Sequence, residues 1–139
     1  MRKRTLAREY SLHVLYQQDI TRMEIQILLD QLWEREDGGD TEITEFTRRL
    51  VLGVQQNVAS LDEKISQYAT NWQLKRMAII DRNILRLGLY ELLYAEDIPP
   101  KVSINEAVEL AKKFGDLESS KFVNGILDKI HKTEIAQSS

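Results

Sequence analysis

The chain has 139 residues, of which 42% are hydrophobic and 29% are charged, and its formal net charge is −3. This size and composition are typical of one soluble globular domain, which excludes a disordered or a membrane-spanning chain. The absence of cysteine excludes disulfides and thiolate metal sites.

The positive charge is concentrated at the N-terminus. Residues 1–8 contain four basic side chains and no acidic one, whereas the rest of the chain is acidic overall. A basic segment on an acidic chain is typical of an arm that binds nucleic acid, although a solubilising terminus has the same composition. No apolar segment follows these charges, so we expect no secretory signal, no membrane association and a cytoplasmic location. The four basic residues are Arg2, Lys3, Arg4 and Arg8.

Helical spacing of apolar residues recurs along the whole chain and predicts an all-α fold of about seven helices. Alternation of the β type is absent, and the only prolines are the adjacent Pro99 and Pro100, which end one helix and turn the chain. In chain order, we predict helices over about residues 5–18, 24–35, 41–58, 60–70, 77–95, 103–114 and 119–131.

Two helix starts are predicted from capping boxes, in which a serine caps an amide and a glutamate three residues later reaches back. These boxes begin at Ser60 and at Ser103. Two glycines inside predicted helices, Gly88 and Gly125, predict close approach of a neighbouring helix, since glycine otherwise costs a helix stability.

The stretch over residues 77–95 is apolar on several sides, which predicts a buried central helix. We expect this helix to organise a single domain, 1–139, with an N-terminal bundle over about 1–72, a C-terminal bundle over about 73–132 and a frayed tail over 133–139. Arg82 and Arg86 lie one turn apart on this helix. Either carboxylates of the same chain neutralise them, or they belong to a binding face for another molecule.

Catalytic signatures are missing from the chain. His13 and His131 are the only histidines and fall on separate predicted helices, and no phosphate-binding loop, HExxH pair or GxSxG motif occurs. We therefore expect neither an enzyme nor a metal site.

The last two predicted helices carry a long motif that resembles the NusB family of bacterial transcription factors. Residues 104–115 read INEAVELAKKFG and residues 121–130 read KFVNGILDKI. The central helix, with DRNILR at residues 81–86, is similar to the family pattern, and the resemblance covers nearly the whole chain.

This resemblance implies two stacked helical bundles, no cofactor and no catalytic activity. It also implies binding of single-stranded boxA-type RNA from nascent ribosomal RNA transcripts, together with a ribosomal protein called NusE. The pair would recruit other Nus factors, so that RNA polymerase resists termination.

The resemblance also implies which residues form each surface. Matched positions for RNA are Arg2, Lys3, Arg4, Arg8, Tyr16, Glu118, Ser119, Lys121 and Phe122. Matched positions for NusE are Asp81 and Arg86, and the polar stripe on the same helix adds Arg82 and Tyr90.

Two alternatives of other classes stay open. One is a NusB-like module that targets an rRNA methyltransferase system to RNA, and the other is a structural helical homodimer. Whether the chain is a monomer or a homodimer is not decided by these patterns.

Overall fold

The chain is all-helical, as predicted. The structure, a computed structural model, describes residues 2–69 and 74–136, apart from the side chains of Arg2 and Lys75, and it contains no strand in those ranges. A 3-10 helix, Leu74–Arg76, precedes α4, and a π-helical turn, His131–Ile135, follows α6. The six α-helices are α1 (Arg2–Thr21), α2 (Ile25–Arg35), α3 (Thr41–Tyr68), α4 (Ile79–Tyr94), α5 (Pro100–Phe114) and α6 (Leu117–Ile130).

Helix α3 is a single helix where two were predicted, so the prediction of a helix start at Ser60 is wrong. The Ser60 hydroxyl donates to the backbone carbonyl of Asn57 at 3.1 Å and caps no free amide. Neither glycine nor proline interrupts residues 54–68, so the helical hydrogen bonds continue through the serine.

The start of α5 was also predicted wrongly. Helix α5 begins at Pro100, where proline suits the first helical position because its missing amide hydrogen would have no partner. Ser103 lies inside the helix, and its buried hydroxyl donates to the buried carboxylate of Glu91 at 2.9 Å.

Contacts between residues divide the chain into two compact units, Met1–Gln56 and Asn57–Ser139, with the division inside α3. The predicted boundary between two bundles near residue 72 stays a prediction. In the first unit, α1 packs on α2, and Tyr10 meets Trp33 edge to face at 5.7 Å between ring centres.

The second unit is built around α4, which packs against both α5 and α6. Half of its sixteen residues are buried, which confirms the prediction of a buried central helix. Gly88 allows this packing, because a Cβ atom there would lie 2.6 Å from Leu127 Cδ1 and 3.2 Å from Ala107 Cβ.

Gly125 does not have the packing role that we predicted for it. Apart from Gly125 itself, its two neighbours in the chain and the adjacent helix backbone, no atom lies within 4 Å of the place that its Cβ atom would occupy, and the residue is exposed on α6. The sequence shows that a glycine lies inside a helix, but it does not show whether that glycine faces the core or the solvent.

The segment after α6 is ordered further than we expected. Fraying was predicted from Thr133, but Glu134 accepts hydrogen bonds from Lys64 and from the Tyr68 hydroxyl in α3. Residues 137–139 of the predicted tail lie outside the described residues. No helix in the described ranges is long and apolar enough to cross a membrane.

Candidate RNA and protein interfaces

The predicted basic arm forms about the first two turns of α1, so its charges are held on a helix. Lys3 lies 3.2 Å from Asp40 and 3.8 Å from Glu42 at the start of α3. A hydrogen bond from Lys3 holds the pKa of the Asp40 carboxyl below its usual value, and the same bond raises the pKa of Lys3. Asp40 and Glu42 therefore partly neutralise the positive charge of the arm.

Asp40 also begins α3. Its Oδ1 accepts the backbone amide hydrogens of Glu42 at 3.0 Å and Ile43 at 3.4 Å, so the residue acts as an N-cap. The carboxylate thus fixes the helix start with one oxygen while the other faces Lys3.

Three arginines surround the ring of Phe46 in α3. The guanidinium carbons of Arg4, Arg8 and Arg49 lie 4.4, 5.3 and 5.8 Å from the ring centre. Phe46 is buried, Arg4 and Arg49 are half-buried, and Arg8 is only 4% exposed. We call these four residues the arginine cluster.

The cluster revises the predicted arm in two ways. Arg8, which the resemblance assigns to the RNA-binding surface, lies almost entirely inside the protein. Arg49 was not predicted at all. The spacing of Phe46 and Arg49, three residues apart on a helix, places them on one face, but only the fold brings Arg4 and Arg8 to the same ring.

Tyr16 lies further along α1 and is half-buried. The remaining residues predicted to contact RNA belong to the second unit, at the start of α6. There Asp116 is the N-cap and accepts the amide hydrogen of Ser119 at 2.8 Å. Glu118 and Lys121 are largely exposed and lie 3.9 Å apart, whereas Ser119 is buried.

Phe122 lines a cleft of about 420 Å³ in this unit. Three carboxylates share the cleft, so its lining is acidic around one aromatic ring. The other lining residues are Met77, Ala78, Asp81, Asp116, Glu118 and Ser119.

Asp81 was predicted to bind the protein partner, yet it lines the same cleft as the predicted RNA contacts Ser119 and Phe122. Burial raises the pKa of the Asp81 carboxyl, assisted by the charge of Asp116 and opposed by a hydrogen bond from Ser119. Its Oδ1 atom is buried and has no hydrogen-bond partner within the described part of the chain. The two predicted surfaces therefore adjoin at this cleft.

Arg86 forms an internal ion pair. Its Nε and Nη2 atoms donate to the two carboxylate oxygens of Asp62 at 2.7 and 2.8 Å, and Nη1 donates to Asn83 at 3.1 Å. The residue is 9% exposed. Of the two interpretations of the arginine stripe, an intramolecular carboxylate is the one that the structure shows for Arg86.

The other members of the stripe are more accessible. Arg82 is half-buried and donates to the Leu74 carbonyl at 3.4 Å. Tyr90 is half-buried and stacks on the exposed Tyr94, with ring centres 5.5 Å apart. Tyr94 is an exposed aromatic residue that we did not predict as part of this face.

Groups of three or more histidine, aspartate or glutamate side chains that could hold a metal ion do not occur among the described residues. His13 is exposed on α1 in the first unit, and His131 follows α6 in the second unit.

Comparisons with known proteins agree on one family. The model of the NusB family matches residues 5–132. The transcription antitermination protein NusB of Myxococcus xanthus is 47% identical over 133 residues, which cover 94% of this chain and 95% of the relative.

Solved structures show the same similarity. T. maritima NusB is 38% identical and superposes with a TM-score of 0.88, covering 97% of this chain and 94% of that one. A crystal structure of the antitermination factors NusB and NusE in complex with dsRNA has a matching chain with a TM-score of 0.87. That chain is 30% identical, and the match covers 95% of this chain and 98% of that one.

Proposed function

Because this chain belongs to the NusB family, we propose that it is an RNA-binding transcription antitermination factor that acts together with the ribosomal protein NusE. Its RNA ligand is single-stranded boxA-type RNA of nascent ribosomal RNA transcripts, and the complex helps RNA polymerase to resist termination with other Nus factors. The relatives reported above are named antitermination proteins rather than enzymes. We place this activity in the cytoplasm.

The observation that carries the RNA proposal is the ordered basic turn at the start of α1. Arg4 is held against Phe46, so this cation is positioned before RNA arrives. Preset side chains lose less entropy on binding than those of a flexible arm. Positive charge in an acidic chain supplies the phosphate attraction on which RNA affinity depends.

The proposed RNA surface also includes the start of α6. Phe122 offers a ring for base stacking, and the cleft beside it contains carboxylates that accept hydrogen bonds from base amino groups. This is a surface that reads bases, whereas the arm contacts phosphates. The proposed RNA-binding residues are Arg2, Lys3, Arg4, Tyr16, Glu118, Ser119, Lys121 and Phe122, with Arg8 contributing from beneath the surface.

We propose α4 as the surface for NusE. Arg82 and Tyr90 are accessible enough to contact a partner, and Asp81 has a buried oxygen that a partner's hydrogen-bond donor would satisfy. Arg86 supports this surface through Asp62, because it anchors α4 to α3.

The proposal is tested by fluorescence anisotropy with a labelled boxA-type RNA and a scrambled RNA of equal length, each with and without NusE. We expect boxA-type RNA to bind more tightly than the scrambled RNA, and NusE to strengthen its binding. By linkage, RNA must then strengthen NusE binding by the same factor. Equal affinity for the two RNAs in the presence of NusE would overturn the proposal.

The NusE surface needs its own variants. Arg82→Glu and Tyr90→Ala should each weaken NusE binding by roughly tenfold or more if they lie near the centre of the interface. RNA affinity of the isolated chain should change little, since neither residue is among the proposed RNA-binding residues. Wild-type NusE affinity in both folded variants would remove α4 from the interface.

A further inference from the structure

We infer that Arg49 and Arg4, resting on the ring of Phe46, form a binding site for a backbone phosphate of RNA. The inference rests on the proposed RNA-binding function and adds to it a residue of α3 that lies outside the basic arm. Arg49 is thereby assigned a role that neither the charge pattern of residues 1–8 nor the family motif indicates.

The first argument is the convergence of like charges. Three guanidinium groups lie around one ring, the farthest at 5.8 Å from its centre. Their mutual separations are thus comparable with the Debye length of about 10 Å at 0.1 M salt, so solvent ions screen their repulsion only in part. An anion that binds beside the cluster would be attracted by all three.

The aromatic ring helps to hold such a cluster together. A cation over an aromatic face is attracted by the negative charge of that face, and more strongly where water is excluded. Phe46 is itself 5% exposed, so its position is fixed by the core of the first unit. The ring therefore acts as a rigid support on which the arginine side chains lie in a preset arrangement.

The three arginines of the cluster differ in their exposure to solvent. Arg4 and Arg49 are half-buried, so their guanidinium groups can reach a ligand, whereas Arg8 is too deeply buried for direct contact. All three make other interactions inside the protein. This does not prevent binding, because a guanidinium group has five donors and can keep an internal partner while it donates to phosphate.

The chemistry of arginine selects the ligand class. Guanidinium groups donate two parallel hydrogen bonds to phosphate oxygens, and phosphodiesters are the anions that RNA presents in a regular row. Arg4 on α1 and Arg49 on α3 approach one ring from two helices, so a phosphate bound beside the ring would be contacted by both helices. A phosphate contact strengthens binding without regard to base sequence.

The test compares Arg49→Gln with Arg48→Gln, since both changes remove one positive charge from neighbouring positions of the same helix. Arg48 is exposed and projects about 100° away from Arg49 around the helix axis, so it serves as the matched control. Binding of boxA-type and scrambled RNA is measured by anisotropy over a series of salt concentrations. Circular dichroism and thermal unfolding confirm that both variants fold, and Arg49→Lys provides a variant that keeps the charge.

We expect Arg49→Gln to weaken binding of both RNAs by a similar factor, roughly three- to tenfold at 0.1 M salt, and to flatten the log–log salt slope by about 0.7. Arg48→Gln should change the slope by less than half as much, and Arg49→Lys should retain most of it. If folded Arg49→Gln binds RNA with the affinity and salt slope of the wild-type protein, the inference is overturned. The proposed function is not affected by that result, because the wild-type protein still binds RNA. Loss of NusE binding with unchanged RNA binding would also overturn it and assign Arg49 to the protein partner. If the wild-type chain binds neither RNA with NusE present, the proposed function and this inference fail together.

Discussion

Arg86 in α4 and Asp62 in α3 are joined by two hydrogen bonds of 2.7 and 2.8 Å, and the arginine is almost fully buried. A buried guanidinium group is costly unless its donors are satisfied, so the pair fixes α4 against the second half of α3. Asn83 completes the arrangement by accepting from Nη1 and donating to the Ile79 carbonyl. This network makes Arg86 a structural residue of the face on which Arg82 and Tyr90 are displayed.

We expect Arg86→Met to lower the free energy of unfolding by about 2–4 kcal/mol, because it leaves the Asp62 carboxylate without its partner. Urea unfolding followed by circular dichroism measures this loss. The double variant Asp62→Asn/Arg86→Met should lose less than the two single variants together, since the penalty is the unpaired charge.

Arg82→Met is the matched control, one turn earlier on the same helix and half-buried. Its cost should stay below about 1 kcal/mol. An Arg86→Met protein with the wild-type urea midpoint would show that the ion pair contributes nothing to stability.

Gly88→Ala and Gly125→Ala should have opposite effects. At Gly88 the new methyl group would lie 2.6 Å from Leu127 Cδ1 and 3.2 Å from Ala107 Cβ, and Leu127 has no exposed surface toward which to move. We expect a loss of about 1–2 kcal/mol in spite of the better helix propensity of alanine.

At Gly125 the methyl group meets no atom within 4 Å, so only the helix propensity changes. We expect a gain of about 0.5–1 kcal/mol. Thermal unfolding of both variants measures the two effects, and a destabilised Gly125→Ala protein would contradict the exposed placement of that residue.

The all-α class and the buried central helix were predictable, because both follow from spacing within one segment. Apolar residues on several sides of residues 77–95 require burial wherever the helix lies in the fold. The partner of Arg86 was not predictable in the same way, since Asp62 lies 24 residues earlier and several other acidic residues were equally available.

The candidate site shows the same limit. Helix periodicity places Arg4 and Arg8 one turn apart, but it does not show that their common face covers Phe46. It likewise leaves Asp81 and Phe122 on two separate predicted surfaces, although they line one cleft. The start of α3 was predicted correctly near residue 41, because capping is local. The prediction of a helix start at Ser60 failed, because a capping box forms only where a helix begins and α3 continues through Ser60.

Asp81→Asn should stabilise the protein at neutral pH. The folded-state pKa of Asp81 is raised above its ordinary value of 3.8, chiefly by burial, so the folded protein binds a proton more readily than the unfolded chain does. The free energy of unfolding therefore decreases as the pH rises from about 3.8 through the raised folded-state pKa of Asp81. Above that pKa the carboxylate is charged, and its burial destabilises the folded protein fully.

We expect the asparagine variant to gain up to about 1 kcal/mol at neutral pH, and this gain should vanish as the pH falls to the ordinary pKa of the carboxyl. Urea midpoints of the variant and wild type across this range measure the difference. A gain that does not depend on pH would show that charge is not the cause. Ser119→Ala removes the hydrogen bond that opposes the rise in the pKa of Asp81. In that variant the charged Asp81 carboxylate should destabilise the folded protein more than it does in the wild type.

Asp40→Asn should strengthen RNA binding without weakening the start of α3. Asparagine caps a helix about as well as aspartate, so the bonds to the amides of Glu42 and Ile43 can persist. The variant removes the negative charge that lies 3.2 Å from Lys3, which frees the lysine for an RNA phosphate. We expect about twofold tighter binding at low salt and a log–log salt slope steeper by up to about 0.7.

Asp30→Asn is the control, because it makes the same change of net charge in the same unit. Asp30 is exposed on α2 and accepts a hydrogen bond from Gln26. Both variants are titrated with the same labelled RNA at several salt concentrations, and thermal unfolding confirms that the cap is kept. If Asp40→Asn and Asp30→Asn tighten binding equally, the effect comes from net charge alone, and the ion pair between Lys3 and Asp40 does not restrain the arm.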